Sequence, residues 1–323
     1  MTSLRVMTFN VENMMVRFDF DSHDPGLASL LDVYTDIDRA NLIRTYWNVL
    51  NDENRVFTAL SMKEGAPEVI CLQEVDSFKA LKSFHSRYLR RISGIDYPHK
   101  VLVEGNDRRG IDVAVLSQHP IDSMATHQDF MGEICRPGSV SYERVFQRDC
   151  LEVRIMKDGR ILPIFVCHFK SMSPTREETR PIREAEAMAV RKIIEMRFPD
   201  PAQSDWLVVG DLNDYTEIDG MPDAEHSLWP LLDGGFSIDL IKRIQDPLDR
   251  WTHFYSQDSS YQQLDYMLAS PSLAWKNYGV RPRIIRAGLP YRAERYLGPR
   301  WPRVGYDRPK ASDHCPVVME LEY

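Results

Sequence analysis

The chain has 323 residues, 43% of them apolar and 27% charged, and a formal net charge of −8. That is the make-up of a globular protein with a sizeable core, and its acidic balance excludes one that coats nucleic acid through its overall field. No apolar run reaches the roughly 18–20 residues that span a bilayer, and the opening Met1-Thr-Ser-Leu-Arg-Val lacks the charged-then-apolar pattern of a secretory signal.

A cytoplasmic protein without membrane insertion is therefore expected. The cysteines at 71, 135, 150, 167 and 315 form no CxxC pair, and four of them lie in or beside apolar runs, which reads as reduced core thiols.

Taken in chain order, short runs rich in Val, Ile, Leu and Phe predict strands at 4–11, 68–75, 112–117, 150–155, 162–169, 206–213, 263–270 and 316–322. Helical periodicity falls at 38–62, 77–92 and 181–197, the last with Pro181 at its start. The continuous apolar run Trp206-Leu-Val-Val-Gly predicts a strand covered on both faces, whereas Cys150-Leu-Glu-Val-Arg-Ile alternates. The fold class is α/β. No repeat or linker divides the chain, so one domain over 1–323 is expected, as a monomer with no protein partner evident. The long irregular segments 17–35, 118–144, 214–260 and 276–310 are where substrate contacts are expected.

Polar residues repeatedly interrupt or end these strands: Asn10 and Glu12, Glu74, His168 and Lys170, Asp211 and Asn213, Asp265, then Asp313-His314. One carboxylate at a strand end is unremarkable. An ionised carboxylate is costly to desolvate without a partner or cation, so this many acids and imidazoles at strand ends point to a shared polar site. Asp211 and Asn213, two apart, would share one side of an extended backbone, whereas the adjacent Asp313 and His314 would diverge.

Seven strings carry a resemblance along the whole chain: Thr8-Phe-Asn-Val-Glu-Asn13, Pro67-Glu-Val-Ile-Cys-Leu-Gln-Glu74, Arg109-Gly-Ile-Asp-Val-Ala-Val-Leu-Ser117, Cys167-His-Phe-Lys-Ser171, Val209-Gly-Asp-Leu-Asn213, Leu264-Asp-Tyr-Met-Leu268 and Ser312-Asp-His-Cys-Pro316. In order and kind, they resemble the endonuclease/exonuclease/phosphatase superfamily, the deoxyribonuclease I-like proteins. The resemblance implies a four-layer α/β sandwich, with two mixed β-sheets packed face to face and helices on the outside.

It also implies a divalent-metal-dependent phosphodiester hydrolase. Glu74 would be the main ligand of Mg²⁺, with Mn²⁺ as a possible substitute, and Asn10 would orient that carboxylate. Glu12 or Asp313 would complete the metal environment. Asp265 would fix the tautomer of His314 and raise its basicity, suiting it to activate water or to stabilise charge on the phosphate; Asp211 or His314 would take the proton of the nucleophilic water, and Asn213 would donate to the phosphate. His168 would contact a phosphate oxygen or protonate the leaving group. Arg148 resembles the family's phosphate-binding arginine, with an ion pair to Asp149 as the competing account, and Lys170 would share the face of His168. Asp112 stands where some relatives place a tyrosine, either adding negative charge to the metal region or pairing with Arg109.

Between Lys276 and Lys310, ten basic residues stand against two acids, interleaved with Tyr278, Tyr291, Tyr296, Trp301 and Tyr306. That pattern fits either a nucleic-acid channel or a loop whose arginines neutralise an acidic body. With the style of the strings it makes a nuclease acting on DNA or RNA the expected function. A phosphatase or phosphodiesterase acting on a phospholipid headgroup, an inositol or sugar phosphate or a nucleotide is the alternative.

Overall fold

The computed structural model describes residues 2–14 and 53–323. The irregular segment expected at 17–35 and residues 38–52 of the helix expected at 38–62 lie outside the described residues; residues 53–65 are helical. The strands are β1 (Ser3–Met14), β2 (Val69–Val75), β3 (His99–Leu102), β4 (Asp112–Ser117), β5 (Ile121–Ala125), β6 (Met131–Arg136), β7 (Ser139–Arg144), β8 (Cys150–Lys157), β9 (Arg160–His168) and β10 (Leu207–Asp211). They continue with β11 (Glu217–Ile218), β12 (Met221–Pro222), β13 (Ile238–Asp239), β14 (His253–Tyr255), β15 (Ser260–Gln262), β16 (Asp265–Ala269), β17 (Arg283–Ile284) and β18 (Val317–Glu322).

Two six-stranded sheets form, in the orders β17-β18-β1-β2-β4-β3 and β13-β16-β10-β9-β8-β5. Each is mixed, with one parallel pair at its centre, β1 with β2 and β9 with β10. The period-2 alternation of a strand sorts the apolar residues. Leu4, Val6, Val69 and Cys71 of the first sheet meet Ile164, Leu207, Val209 and Met267 of the second in one inner core. The alternate positions Met7, Phe9, Ile70 and Leu72 turn outward to Phe57, Met62, Leu81 and Phe84 of covering helices. On the other side, Phe165, Val208 and Tyr266 meet Ala187, Val190 and Ile194 of the helix Arg176–Arg197. The result is the expected four-layer α/β sandwich.

Several expectations are corrected. Segment 118–144 is not irregular: it supplies β5 and the antiparallel ribbon β6–β7 around Pro137-Gly138, whose exposed positions mix Met131, Val140 and Tyr142 with Glu133 and Arg144 and so give no continuous apolar run. The alternation in β8 does not mark an exposed face, because Glu152 is buried and ion-paired with Arg197, Oε1 to Nε 2.9 Å. The third helix begins at Arg176 rather than Pro181. Thr175 caps it by accepting from the Glu178 backbone N–H, and the polar first turn gave no periodic apolar signal. Cys71, Cys150, Cys167 and Cys315 are buried free thiols, as expected, while Cys135 is exposed on the ribbon.

Candidate active site

The ends of six strands meet along one edge of the sandwich. Parallel β1 and β2 deliver Asn10 and Glu74; parallel β9 and β10 deliver His168 and Asp211 opposite one another; antiparallel β16 starts at Asp265, in register with Asp211. Asp313 and His314 lie just before β18. A cavity of about 460 Å³ opens there, and Glu74, Arg109, Arg148, His168, Asp211, Asn213, Asp313 and His314 all line it.

Asp211 is the hub. Its Oδ2 accepts from Asn10 Nδ2 at 3.0 Å and Asn213 Nδ2 at 3.0 Å, and its Oδ1 accepts from the Asn213 backbone N–H at 2.9 Å. Burial pushes its carboxyl up to about 7, with Asp265 adding to the rise and His314 opposing it. Two assignments change here. Asn10 orients Asp211 rather than Glu74, whose Oε2 instead accepts from the Asn13 backbone N–H at 2.9 Å. The amide hydrogens of Asn213 go to Phe169 O and Asp211 Oδ2, each 3.0 Å away, so this residue positions the carboxylate instead of reaching for a phosphate. Asn213 lies beyond the end of β10 with φ at +50°, so it meets Asp211 through a turn and not through strand alternation.

The His314–Asp265 pair is present: Nδ1 lies 2.8 Å from Oδ2, and Nε2 faces Asp211 Oδ2 at 3.7 Å. Thr252 Oγ1 accepts from the Leu264 and Asp265 backbone N–H groups and fixes that carboxylate from behind. Burial alone would lower the imidazole's pKa, but Asp265 and Asp211 hold it well above its ordinary value. His168 behaves oppositely. Buried, with Nε2 3.5 Å from Asp211 Oδ2, it is held well below the ordinary value by burial and by Arg148 and His314. The two imidazoles are thus driven in opposite directions, His314 toward its charged form and His168 toward its neutral one.

Arg148 is 2% exposed and pairs through Nε with Asp107 Oδ2 at 2.7 Å, not with Asp149, which accepts from the His127 backbone N–H. Arg109 shares Asp107, so two guanidiniums share one acid on the cavity wall. Asp112 neither pairs with Arg109 nor lines the cavity; its Oδ1 accepts from Gly105 N at 2.7 Å.

Two further expectations fail. Both Glu12 oxygens are taken, by Arg308 Nη2 at 2.6 Å and Lys310 Nζ at 2.9 Å, so Glu12 is not free as a metal ligand in this arrangement. Lys170 lies beyond the end of β9, where strand alternation no longer holds, and its ammonium folds onto Ser171 and Ser173 O. Glu74 and Asp313 do line the cavity, and hard carboxylate oxygens of this kind fit a divalent cation. Burial would raise Asp313, yet Lys310, His314 and His253 hold it down at about 2.

The backbone at this edge is held in an uncommon conformation: Glu12, Asn13, Glu74 and Asn213 have φ of 48°, 55°, 65° and 50°. Non-glycine residues in the left-handed region concentrate where function requires side chains to be re-aimed. Gly210, at φ 144°, lies where a β-carbon would come 1.9 Å from Cys167 O, so β9 and β10 can pair here only with glycine.

Sequence reasoning missed His253, Tyr215, Tyr255 and Gln262, which line the cavity from loops and short strands without a strand-end signal. It also left the Lys276–Lys310 stretch open between channel and brace, and several of its cations have partners within the protein. Arg300 donates to the carbonyls of Leu289, Ala293 and Tyr296, Arg286 to those of Asp249 and Trp251, and Arg292, Arg303, Arg308 and Lys310 pair with Asp307, Glu53 and Glu12. The helix Pro271–Lys276, with exposed Trp275 and nearby Tyr278, follows the far end of β16 from Asp265. At about 3.3 Å per residue, those rings stand at the opposite rim of the sandwich from the cavity.

Comparison with known proteins agrees with this architecture. An endonuclease/exonuclease/phosphatase family protein from Leptotrichia buccalis C-1013-b superposes with a TM-score of 0.56 at 14% identity, covering 99% of this chain and 100% of its own. Sphingomyelinase C from Streptomyces griseocarneus gives 0.57 at 16% identity, covering 100% of both chains. The human Nocturnin catalytic domain gives 0.55 at 14% identity, covering 99% of this chain and 94% of its own. These likenesses show the fold. No curated protein matches the sequence. The Endonuclease/Exonuclease/phosphatase family model matches residues 5–223, from β1 through the Asp211 hub to β12, and the chain belongs to that family.

Proposed function

We propose that this protein hydrolyses phosphodiesters by direct attack of water on phosphorus, assisted by a divalent cation. The observation that carries the reading is the convergence of Asp211, the His314–Asp265 pair, His168, two arginines and two further carboxylates on one cavity. Glu74 and Asp313 would hold the cation, Mg²⁺ or Mn²⁺, which when bound neutralises phosphate charge. Asp211, held by Asn10 and Asn213 and raised to about 7, is suited to take the proton of the attacking water. His314, kept charged by Asp265, faces it and stabilises negative charge developing on the phosphate oxygens. Neutral His168 donates a hydrogen bond without adding charge, and Arg148 and Arg109 hold the phosphate against the wall.

For the substrate, the geometry favours a small phosphodiester, such as a phospholipid headgroup ester, over a long nucleic acid, with the monoester of a sugar phosphate or a nucleotide as the phosphatase form of the same reading. Arg286 and Arg300 of the Lys276–Lys310 stretch cap carbonyls and Arg292, Arg303 and Arg308 pair with acids of the protein, while Trp275 and Tyr278 are remote from the cavity. DNA or RNA, expected from the sequence, is the second reading; the paired Arg109 and Arg148 support it, since they suit any phosphodiester.

The test is a panel of plasmid DNA, single-stranded DNA, RNA, sphingomyelin, inositol phosphates and bis-p-nitrophenyl phosphate, each with Mg²⁺, Mn²⁺ or EDTA. Cleavage of small esters in the presence of metal is expected. Turnover that survives EDTA would overturn the metal assistance, and cleavage confined to polynucleotides would return the substrate to the nuclease reading.

A further inference from the structure

His253 belongs to none of the strings that mark the site, yet the fold brings it there. Its backbone forms an isolated antiparallel bridge with His314, and Phe254 N donates to Asp313 O at 3.0 Å. The two imidazole rings lie 4.5 Å apart between centroids, tilted by 49°. His253 is 9% exposed, and its Nδ1 has no hydrogen-bond partner among the described residues. A histidine serving as core filling would satisfy its buried nitrogens or be replaced by phenylalanine, because an orphaned buried polar atom costs about 1–3 kcal/mol.

Three donors converge here. One ligand atom each from His253, Asp313 and His314 lies within 4.8 Å of the others. The second nitrogen of His314, Nδ1, is held by Asp265 Oδ2 at 2.8 Å. Metal-binding histidines almost always engage their other ring nitrogen with a carboxylate or carbonyl in this way, which fixes the tautomer and leaves Nε2 to the ion. Lys310, the cation acting on Asp313, has its ammonium 2.9 Å from Glu12.

We propose that His253, Asp313 and His314 form a binding site for an imidazole-preferring transition-metal ion, of the Zn²⁺ or Co²⁺ class, which shares Asp313 with the cation assigned to Glu74 and takes its two imidazoles from His253 and His314. Two imidazoles and one carboxylate select against Mg²⁺, which takes oxygen ligands and gives up its waters reluctantly. An ion there takes the place of the proton on His314 Nε2, so positive charge facing Asp211 is kept in either state. The inference goes beyond the hydrolytic reading, and its test uses no substrate, so either can fail while the other stands.

The test is calorimetric titration of the chelator-stripped full chain with Zn²⁺, Mn²⁺ and Mg²⁺, in a Cys135→Ser background because that exposed thiol could itself bind zinc. Zn²⁺ is expected to bind at least about tenfold more tightly than Mg²⁺. His253→Phe is expected to lose about 10–100-fold of that affinity while changing Mg²⁺ affinity less than about twofold. Equal affinity for all three ions, or a His253→Phe protein that binds zinc like the parent, overturns the site. Should that variant not fold, electron spin echo spectra of the Mn²⁺-loaded parent decide: nitrogen coupling from imidazole supports the site, and its absence refutes it.

Discussion

Asn10 and Asp211 stand 201 residues apart in the chain, on different sheets, and are joined by a 3.0 Å hydrogen bond from Nδ2 to Oδ2. That bond ties the end of β1 to the end of β10 and lowers the pKa of a carboxyl that burial raises. Asn10→Ala is therefore expected to push Asp211 further up, moving the acidic limb of the kcat profile to higher pH and lowering kcat near neutrality by about 10²-fold. A pH–rate profile with fixed cation checks this. A change confined to KM, with the limb unmoved, would count against Asp211 as the proton acceptor.

Asp265→Asn tests the charge on His314. The carboxylate at 2.8 Å raises that imidazole, so its loss lets burial dominate and the His314 pKa falls. The expected consequences are an NMR titration of the cation-free protein shifted to lower pH and a kcat reduced by about 10³-fold. Asparagine preserves size and one acceptor, so a loss of rate without loss of thermal stability separates electrostatics from packing.

These residues were legible in the sequence for a physical reason. Asp211, His168, Asp265 and Glu74 each sit at the end of an apolar strand, where strand alternation still fixes direction and where a buried acid stands out. Once the strands stop, the rule lapses. Lys170 lies past β9, and Glu12 and Asn13 fall where φ turns positive, so two-residue spacing no longer predicts a shared face. His253 was invisible because a lone histidine opening a three-residue strand carries no periodic signal, and the ribbon β6–β7 because its strands mix polar and apolar residues without a continuous apolar run. For the basic stretch composition leaves two readings open, because whether an arginine faces solvent or caps a carbonyl, as Arg300 does, depends on tertiary contacts.

Gly210→Ala should be severely destabilising. The new β-carbon would lie 1.9 Å from Cys167 O on the neighbouring strand, and φ of 144° is unfavourable for any L side chain. Relief requires β9 and β10 to separate beside His168 and Asp211. A loss of roughly 3–5 kcal/mol is expected, read as a lowered urea midpoint at unchanged slope. A variant of parental stability would show that this close approach is absent in solution.

Glu186 makes stability fall with pH. It is buried, and burial raises its carboxyl to about 7, against hydrogen bonds from Lys170 N and Gln147 N that lower it. A carboxyl whose folded pKa exceeds its unfolded value of 4.5 contributes stability that is complete below 4.5 and is lost as pH climbs through 7. Glu186→Gln keeps an acceptor for Lys170 N and cannot ionise. Relative to that variant, the parent should lose about 3 kcal/mol between pH 4.5 and pH 8, measured by denaturant unfolding. A pH-independent difference would mean that Glu186 stays charged in the fold.

The substrate reading is separable by where binding energy resides. If Lys276–Lys310 tracked a polynucleotide, Trp275→Ala with Tyr278→Ala would remove stacking of about 1–3 kcal/mol per base. Those rings stand across the sandwich from Asp265, so the double substitution is expected to leave kcat/KM on every substrate within about twofold, as for surface changes generally. Arg109→Ala removes a cation from the cavity wall itself and should raise KM about tenfold for small esters and polynucleotides alike. A polynucleotide KM that responds to Trp275 and Tyr278 and ignores Arg109 would place the binding surface on the opposite rim, and the small-phosphodiester reading would fall with it.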